Sequence, residues 1–185
     1  MPTRHPRALA AVASISVAAL ATACTTTPPP RTVASVDLNR YAGRWYQTAA
    51  NPQPFEAGLV GITAEYGALP DGNVSVRNQG FMGTCTGPVD GITGVARVVD
   101  RTTNAKLAVT FDTVPATRFF PGEYWIVDLD SADYQWAVVA DSQRSSLFVL
   151  SRAPRLDPAV EAGIRQRLTA NGFDLGRLTP TTPCD

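Results

Sequence analysis

Eight short apolar runs follow one another between Trp45 and Ser151, each ended by turn-forming residues, and this succession limits the fold more than any other feature. The runs are Trp45 to Ala50, Gly61 to Leu69, Val74 to Gly80, Ile92 to Val99, Ala105 to Phe111, Glu123 to Leu129, Tyr134 to Ala140 and Leu147 to Ser151. In the second, Ile62, Ala64 and Tyr66 alternate with Thr63 and Glu65, the two-residue period of a strand with one buried face. Asn51-Pro52-Gln53-Pro54 breaks the chain after the first run, and Pro70-Asp71-Gly72-Asn73 is a hairpin turn. Strands joined mostly by short turns predict an antiparallel meander, and closing it into a barrel removes both edges. Periodicity alone fits a sandwich equally well. After Ser151 the period changes. Asp157 suits a helix N-cap, Pro158 the first helical position, and Val160, Ile164 and Leu168 form a stripe that ends at Asn171-Gly172. That stripe predicts one helix with an apolar packing face.

If the sheet closes, one face of every strand looks inward. Alternation assigns Ile62, Ala64 and Tyr66 inward on the second strand and Leu107, Val109 and Phe111 inward on the fifth. The sixth strand is apolar on both faces, so alternation does not decide the side of Trp125. Gln47, Arg77 and Asn78 are polar residues on or beside strands that either face solvent or meet a ligand head group. Phe55 and the pair Phe119-Phe120 lie in loops, where they would frame an opening or touch a membrane.

Composition excludes several chemistries. The single histidine, His5, lies in the leader, so a mature chain would have no histidine for a catalytic triad, a metal site or a haem. No Gly-x-Ser-x-Gly is present, and Ser142, Ser145 and Ser146 lack a base. Asp128, Asp130 and Asp133 cluster at a turn without the several further oxygens that calcium requires. The expectation is no metal, no cofactor and no catalytic residue. Past Cys24 the chain holds 14 basic and 16 acidic side chains, which gives no broad attraction for nucleic acid.

Residues 1–23 read as a secretory signal: Arg4 and Arg7 precede a small apolar run that is too short to span a bilayer comfortably. Ala21-Thr22-Ala23-Cys24 resembles the lipobox of bacterial lipoproteins, in which the cysteine is acylated and becomes the mature N-terminus. Ala21 stands where that motif usually has leucine, and Ala-x-Ala also fits ordinary signal cleavage. Residues 24–35, with Pro28-Pro29-Pro30, read as an extended tether that packs against nothing.

Three separated pieces carry a family resemblance. They are Gly43-Arg44-Trp45-Tyr46 at the start of the first strand, Asp130-Ser131-Ala132-Asp133-Tyr134 at the sixth turn, and Leu150-Ser151-Arg152-Ala153-Pro154 at the end of the last strand. In this order the chain resembles the lipocalins, and within them the bacterial and apolipoprotein D-like group, over roughly Val36 to Pro180. The resemblance implies an eight-stranded antiparallel up-and-down β-barrel with one C-terminal helix outside, in a domain spanning 36–185. It implies that Gly43, Trp45, Asp130, Tyr134 and Arg152 close one end, with Arg152 laid across Trp45. It implies a disulfide between Cys85 and Cys184, the pair that remains if Cys24 is lipidated; a bridge closing so long a loop contributes about 4–5 kcal/mol in the chain-entropy model. The pocket candidates it suggests are Tyr66, Leu107, Val109, Phe111, Trp125 and Trp136.

The function that follows is binding, storage or transport of a small hydrophobic ligand, of the fatty acid or lysophospholipid class, at a bacterial cell envelope. The protein would be lipid-anchored in the cell or outer membrane, or else soluble in the periplasm or secreted. Two alternatives stand beside this reading. One is a lipid-modifying enzyme on the same fold, using a reactive pocket cysteine. The other is an interaction module whose barrel Trp125, Trp136 and Phe111 fill.

Overall fold

A computed structural model of the chain describes residues 27–184. The signal segment and Cys24 lie outside the described residues. A one-turn helix α1 (Leu38–Tyr41) leads into β1 (Gly43–Ala50), β2 (Leu59–Ala68), β3 (Val74–Met82), β4 (Val89–Val98), β5 (Lys106–Phe111), β6 (Gly122–Leu129), β7 (Trp136–Ala140) and β8 (Leu147–Ser151). Helix α2 (Pro158–Ala170) follows, then a two-residue strand β9 (Thr179–Pro180).

Each strand pairs antiparallel with its sequence neighbour, and β1 pairs with both β2 and β8, so the barrel closes. Strand β9 adds to β1 outside the closed ring. It has no counterpart in the sequence reading, because two residues carry no periodicity. The connections divide by parity. The turns β2–β3, β4–β5 and β6–β7 lie with α1 at one end, where Arg40 reaches the carbonyls of Ser131 and Ala132. The loops β1–β2, β3–β4, β5–β6 and β7–β8 gather at the other end.

Apolar side chains form two cores. One lies inside the barrel and includes Trp45, Tyr66, Leu107, Val109, Ile126, Val139 and Leu150. The other lies between the barrel wall and α2, where Val127, Val138 and Val149 meet Ile164, Leu168 and Phe173. This second core explains why β6, β7 and β8 are apolar on both faces: one face lines the interior and the other carries the helix. Helix α2 is capped as its sequence predicts. The Asp157 carboxylate accepts from the amides of Ala159 and Val160, and Gly172 takes the left-handed conformation past the C-cap.

The tether is not free. Its described residues, 27–35, run along the barrel flank, with Pro30 buried. The Val33 amide donates to the Ile126 carbonyl at 3.0 Å and the Val36 amide to the Thr103 carbonyl at 2.7 Å. Proline-rich composition suggested a solvated segment, but such a segment also offers its amides to carbonyls along a barrel wall.

Candidate ligand-binding cavity

The closed end is built from the three motif pieces. Gly43 has φ +94°, a region open to glycine, and a Cβ there would lie 3.4 Å from the Arg152 guanidinium. The turn it makes drops Trp45 into the barrel, fully buried, with the indole N–H on the Tyr41 carbonyl at 2.8 Å. Arg152 lies 3.8 Å above the Trp45 ring. Its guanidinium donates to the carbonyls of Arg44 and Arg40 at 2.8 Å, Ala42 at 2.9 Å, Tyr41 at 3.2 Å and Tyr134 at 3.3 Å. Asp130 accepts from the amides of Asp133 and Gln135 and so shapes the turn. The Tyr134 hydroxyl accepts from the Asp37 amide. All five motif residues therefore meet at this end, in structural contacts.

Above Trp45 the barrel interior is floored by tyrosines. The Tyr124 hydroxyl shares a 2.8 Å hydrogen bond with Tyr41 and donates to Tyr66 at 3.0 Å. Tyr41 stacks on Tyr66, and Tyr66 meets Tyr124 edge-on, each with centroids 5.7 Å apart. Burial raises all three phenols, that of Tyr66 to about 12, so the floor stays protonated and uncharged at physiological pH.

Over this floor stands a cavity of about 320 Å³. Its walls are mainly apolar: Ile62, Ala64, Val76, Val109, Phe111, Val139, Phe148 and Leu150. Polar groups concentrate toward the loops. The Gln47 side-chain amide donates to Glu56 at 3.2 Å and to the Thr181 hydroxyl at 3.1 Å. Asn78 presents a buried carbonyl oxygen that has no partner. Burial raises the Glu56 carboxyl above its usual range, against the lowering effect of Gln47. Burial also pulls Asp141 upward, but hydrogen bonds from Ser145 and Ser146 outweigh it and hold that carboxyl low. The charged residues lining the cavity are Glu56, Glu123 and Asp141, three acids and no base.

The sequence candidates divide. Tyr66, Val109 and Phe111 line the cavity. Leu107 also faces inward, but below the tyrosine floor, against a void of about 10 Å³ shared with Tyr41, Val74 and Ile126. Trp125 and Trp136 are corrections: both sit on the outer face, packed with the helix-side core. Lys106 lies 4.0 Å over the Trp125 ring and Arg167 4.8 Å over that of Trp136. On β6 the inward aromatic is the neighbouring Tyr124. Of the polar candidates, Gln47 and Asn78 line the cavity and Arg77 is exposed. Sequence reasoning missed Tyr41, Tyr124, Phe148 and Glu56. The only signal for Tyr124 was its two-residue spacing from Ile126, in a strand apolar on both sides.

Cys85 and Cys184 are disulfide-bonded, with Cα atoms 5.4 Å apart. The bridge crosses Gly61, where a Cβ would stand 2.5 Å from the Cys184 sulfur, so only glycine admits it there. Among the described residues no cluster of three or more histidine, cysteine or acidic side chains is placed to hold a metal ion.

Comparison with known proteins decides the family. The Lipocalin-like domain matches residues 36–183. The chain is a lipocalin. It is 34% identical over 175 residues to the outer membrane lipoprotein Blc of Escherichia coli K12, covering 93% of this chain and 95% of that protein. Apolipoprotein D of Mus musculus is 29% identical over 163 residues, covering 83% and 80%. Among solved structures, insecticyanin from the tobacco hornworm superposes with a TM-score of 0.66 at 18% identity, covering 88% of this lipocalin and 87% of that chain. The last likeness concerns the fold alone. Binding of small hydrophobic ligands is consistent with this membership and with an apolar cavity open at one end.

Proposed function

We propose that this lipocalin carries a single-chain lipid, of the lysophospholipid or fatty acid class, at a bacterial cell envelope, with its acyl chain in the barrel and its polar end at the loops. The observation that carries the reading is the cavity's polarity gradient, from an uncharged tyrosine floor through apolar walls to a polar mouth. A volume of about 320 Å³ sits at the low end of ligand sites, about 300–1,000 Å³, which favours one chain over two. Burial of the chain supplies the affinity, at about 25 cal/mol per Å² of apolar surface. The three acids at the mouth favour a head group that carries an ammonium and oppose a free carboxylate, so a lysophospholipid ranks above a fatty acid.

An envelope location is supported by the likeness to outer membrane lipoproteins. In this reading residues 1–23 are a cleaved signal and Cys24 is acylated, as the sequence motif implies. Among the described residues no helix is long and apolar enough to cross a membrane. The thiol-enzyme alternative lacks a thiol among the described residues, since Cys85 and Cys184 are bonded to each other. The filled-barrel alternative required Trp125 and Trp136 inside, and both stand outside.

The test is calorimetric titration with lysophosphatidylethanolamine and with palmitate, on the wild type and on Ala64→Phe, which puts a ring into the cavity wall. The expected result is micromolar or tighter binding, stronger for the lysolipid, and at least tenfold weaker in a folded Ala64→Phe. Equal binding by the two proteins would remove the cavity from the function.

A further inference from the structure

We propose that the protein docks on lipid bilayers mouth-first, with the loop that carries Phe119 and Phe120 inserted at the surface and the N-terminal anchor emerging beside it. Two independent features of the fold converge on this orientation.

The first is the path of residues 28–36. Arg144, in the β7–β8 loop at the open end, donates to the Pro28 carbonyl at 2.8 Å and to the Asn171 carbonyl at 3.2 Å. Asn171 exchanges two hydrogen bonds with the main chain of Arg31, at 3.0 and 2.9 Å. Val33 then bonds Ile126 in mid-strand, and Val36 bonds Thr103 in the β4–β5 turn at the closed end. The segment is thus a strap running the height of the barrel, with Pro28 at the mouth and Val36 at the base. Eight extended residues cover about 26 Å at ~3.3 Å each. Cys24 is four residues before Pro28, so it can lie no more than about 14 Å from it in any conformation. Cys24 therefore cannot reach the closed end while the strap is bound, and an acyl group on it turns the mouth toward the membrane that holds it.

The second feature is the distribution of exposed apolar side chains. Phe55, Phe119 and Phe120 are 69%, 80% and 82% exposed. They occupy the β1–β2 and β5–β6 loops, both at the mouth. Met82, Val89 and Val114 are also exposed and sit at the same end. The closed end contributes only Val99 among the large apolar residues exposed in the described chain. Isolated exposed apolar residues need no explanation, but a set confined to one end marks an interaction surface. A bilayer fits it better than a folded partner does, because the strap delivers the anchor to the same end. The mouth loops 51–58, 83–88, 112–121 and 141–146 hold Glu56, Asp112, Arg118, Asp141 and Arg144, with no basic cluster. Docking is thus apolar rather than electrostatic, and it does not require anionic lipid. It would let a single-chain lipid pass between bilayer and cavity without crossing water.

The experiment uses the Cys24→Ser protein, which takes no acyl anchor, with vesicles of uncharged phosphatidylcholine whose chains are brominated. The expected result is co-sedimentation that survives 0.5 M salt and falls at least tenfold in Phe119→Ser/Phe120→Ser, whose side chains lie outside the cavity lining. A tryptophan at Phe119→Trp should be quenched by the brominated chains and one at Asp71→Trp, at the closed end, should not. In the acylated protein the same pair should show the same contrast. Absence of vesicle binding by Cys24→Ser, or stronger quenching at Asp71→Trp, would overturn the proposal. The cargo reading fails on a different result, loss of lipid binding in solution, so the two are separable.

Discussion

Removing the Arg152 side chain should loosen the closed end and leave the cavity nearly unaffected. Arg152 gives five hydrogen bonds to carbonyls of α1, the α1–β1 turn, the start of β1 and the β6–β7 turn, two of them at 2.8 Å. It also covers the Trp45 ring at 3.8 Å. A hydrogen bond to a charged group contributes about 1.5–3 kcal/mol, and a cation–π contact about 0.5–2 kcal/mol. The site is half-exposed, so water can reach several of the freed carbonyls. Counting the two shortest bonds at the low end, and the ring contact at about 1 kcal/mol, gives roughly 4 kcal/mol for Arg152→Ala. For a domain of this size that is a fall in melting temperature of roughly 10 °C. Arg152→Lys keeps the charge but not the planar fork, and should lose about half as much. Urea denaturation followed by far-ultraviolet circular dichroism measures both. Lysolipid affinity, measured where the variants remain folded, should stay within about twofold of wild type, because the cavity lies beyond the tyrosine floor and distant sites act independently. A loss below about 1 kcal/mol for Arg152→Ala, or wild-type stability in Arg152→Lys, would refute the fork-and-ring account.

Other perturbations have equally definite outcomes. Reducing Cys85–Cys184, which spans 99 residues, should cost about 2–5 kcal/mol and lower the melting temperature by roughly 5–15 °C; an unchanged melting curve would deny the bridge a structural role. Trp125→Ala and Trp136→Ala should each destabilise by about 2–4 kcal/mol through lost packing under α2, with lysolipid affinity retained in the folded fraction; a selective loss of affinity would return them to the ligand site. Burial holds the Glu56 carboxyl above its unfolded range, so the folded protein binds more protons in that window and stability declines as pH rises through it. Glu56→Gln removes the effect, so the variant should gain on the wild type as pH rises above the usual carboxylate range, as read by melting temperature; the opposite drift would contradict the assigned burial.

The fold was legible in the sequence because its signals are local. Turn residues at Asn51-Pro52 and Asp71-Gly72, the two-residue period of β2 and β5, and the cap-to-glycine frame of α2 each point to one structure. The motif residues Trp45, Asp130 and Arg152 then select a barrel over a sandwich, and the 36–183 family match agrees with that choice. The site was less legible, for a physical reason. On β6 and β7 the outer face carries a helix, so both faces are apolar and alternation cannot distinguish Tyr124 from Trp125. Tryptophan invites assignment to a pocket, yet Trp125 and Trp136 cover the outer wall under Lys106 and Arg167. The strap at residues 28–36 was hidden for a related reason: on its own side the bonds are made by main-chain groups of Pro28, Arg31, Val33 and Val36, which leave no side-chain pattern within the segment. Strand β9 and the Gln47–Thr181 contact depend on where the tail folds back, and no spacing reports that.

The central claim is that one acyl chain occupies the barrel. Native mass spectrometry of the protein purified from its own envelope, followed by extraction and identification of anything bound, tests it most directly. The account predicts one single-chain lipid per protein, enriched in lysophospholipid and displaced in Ala64→Phe. An unliganded mass that remains unchanged after incubation with lysophospholipid and fatty acid would contradict it.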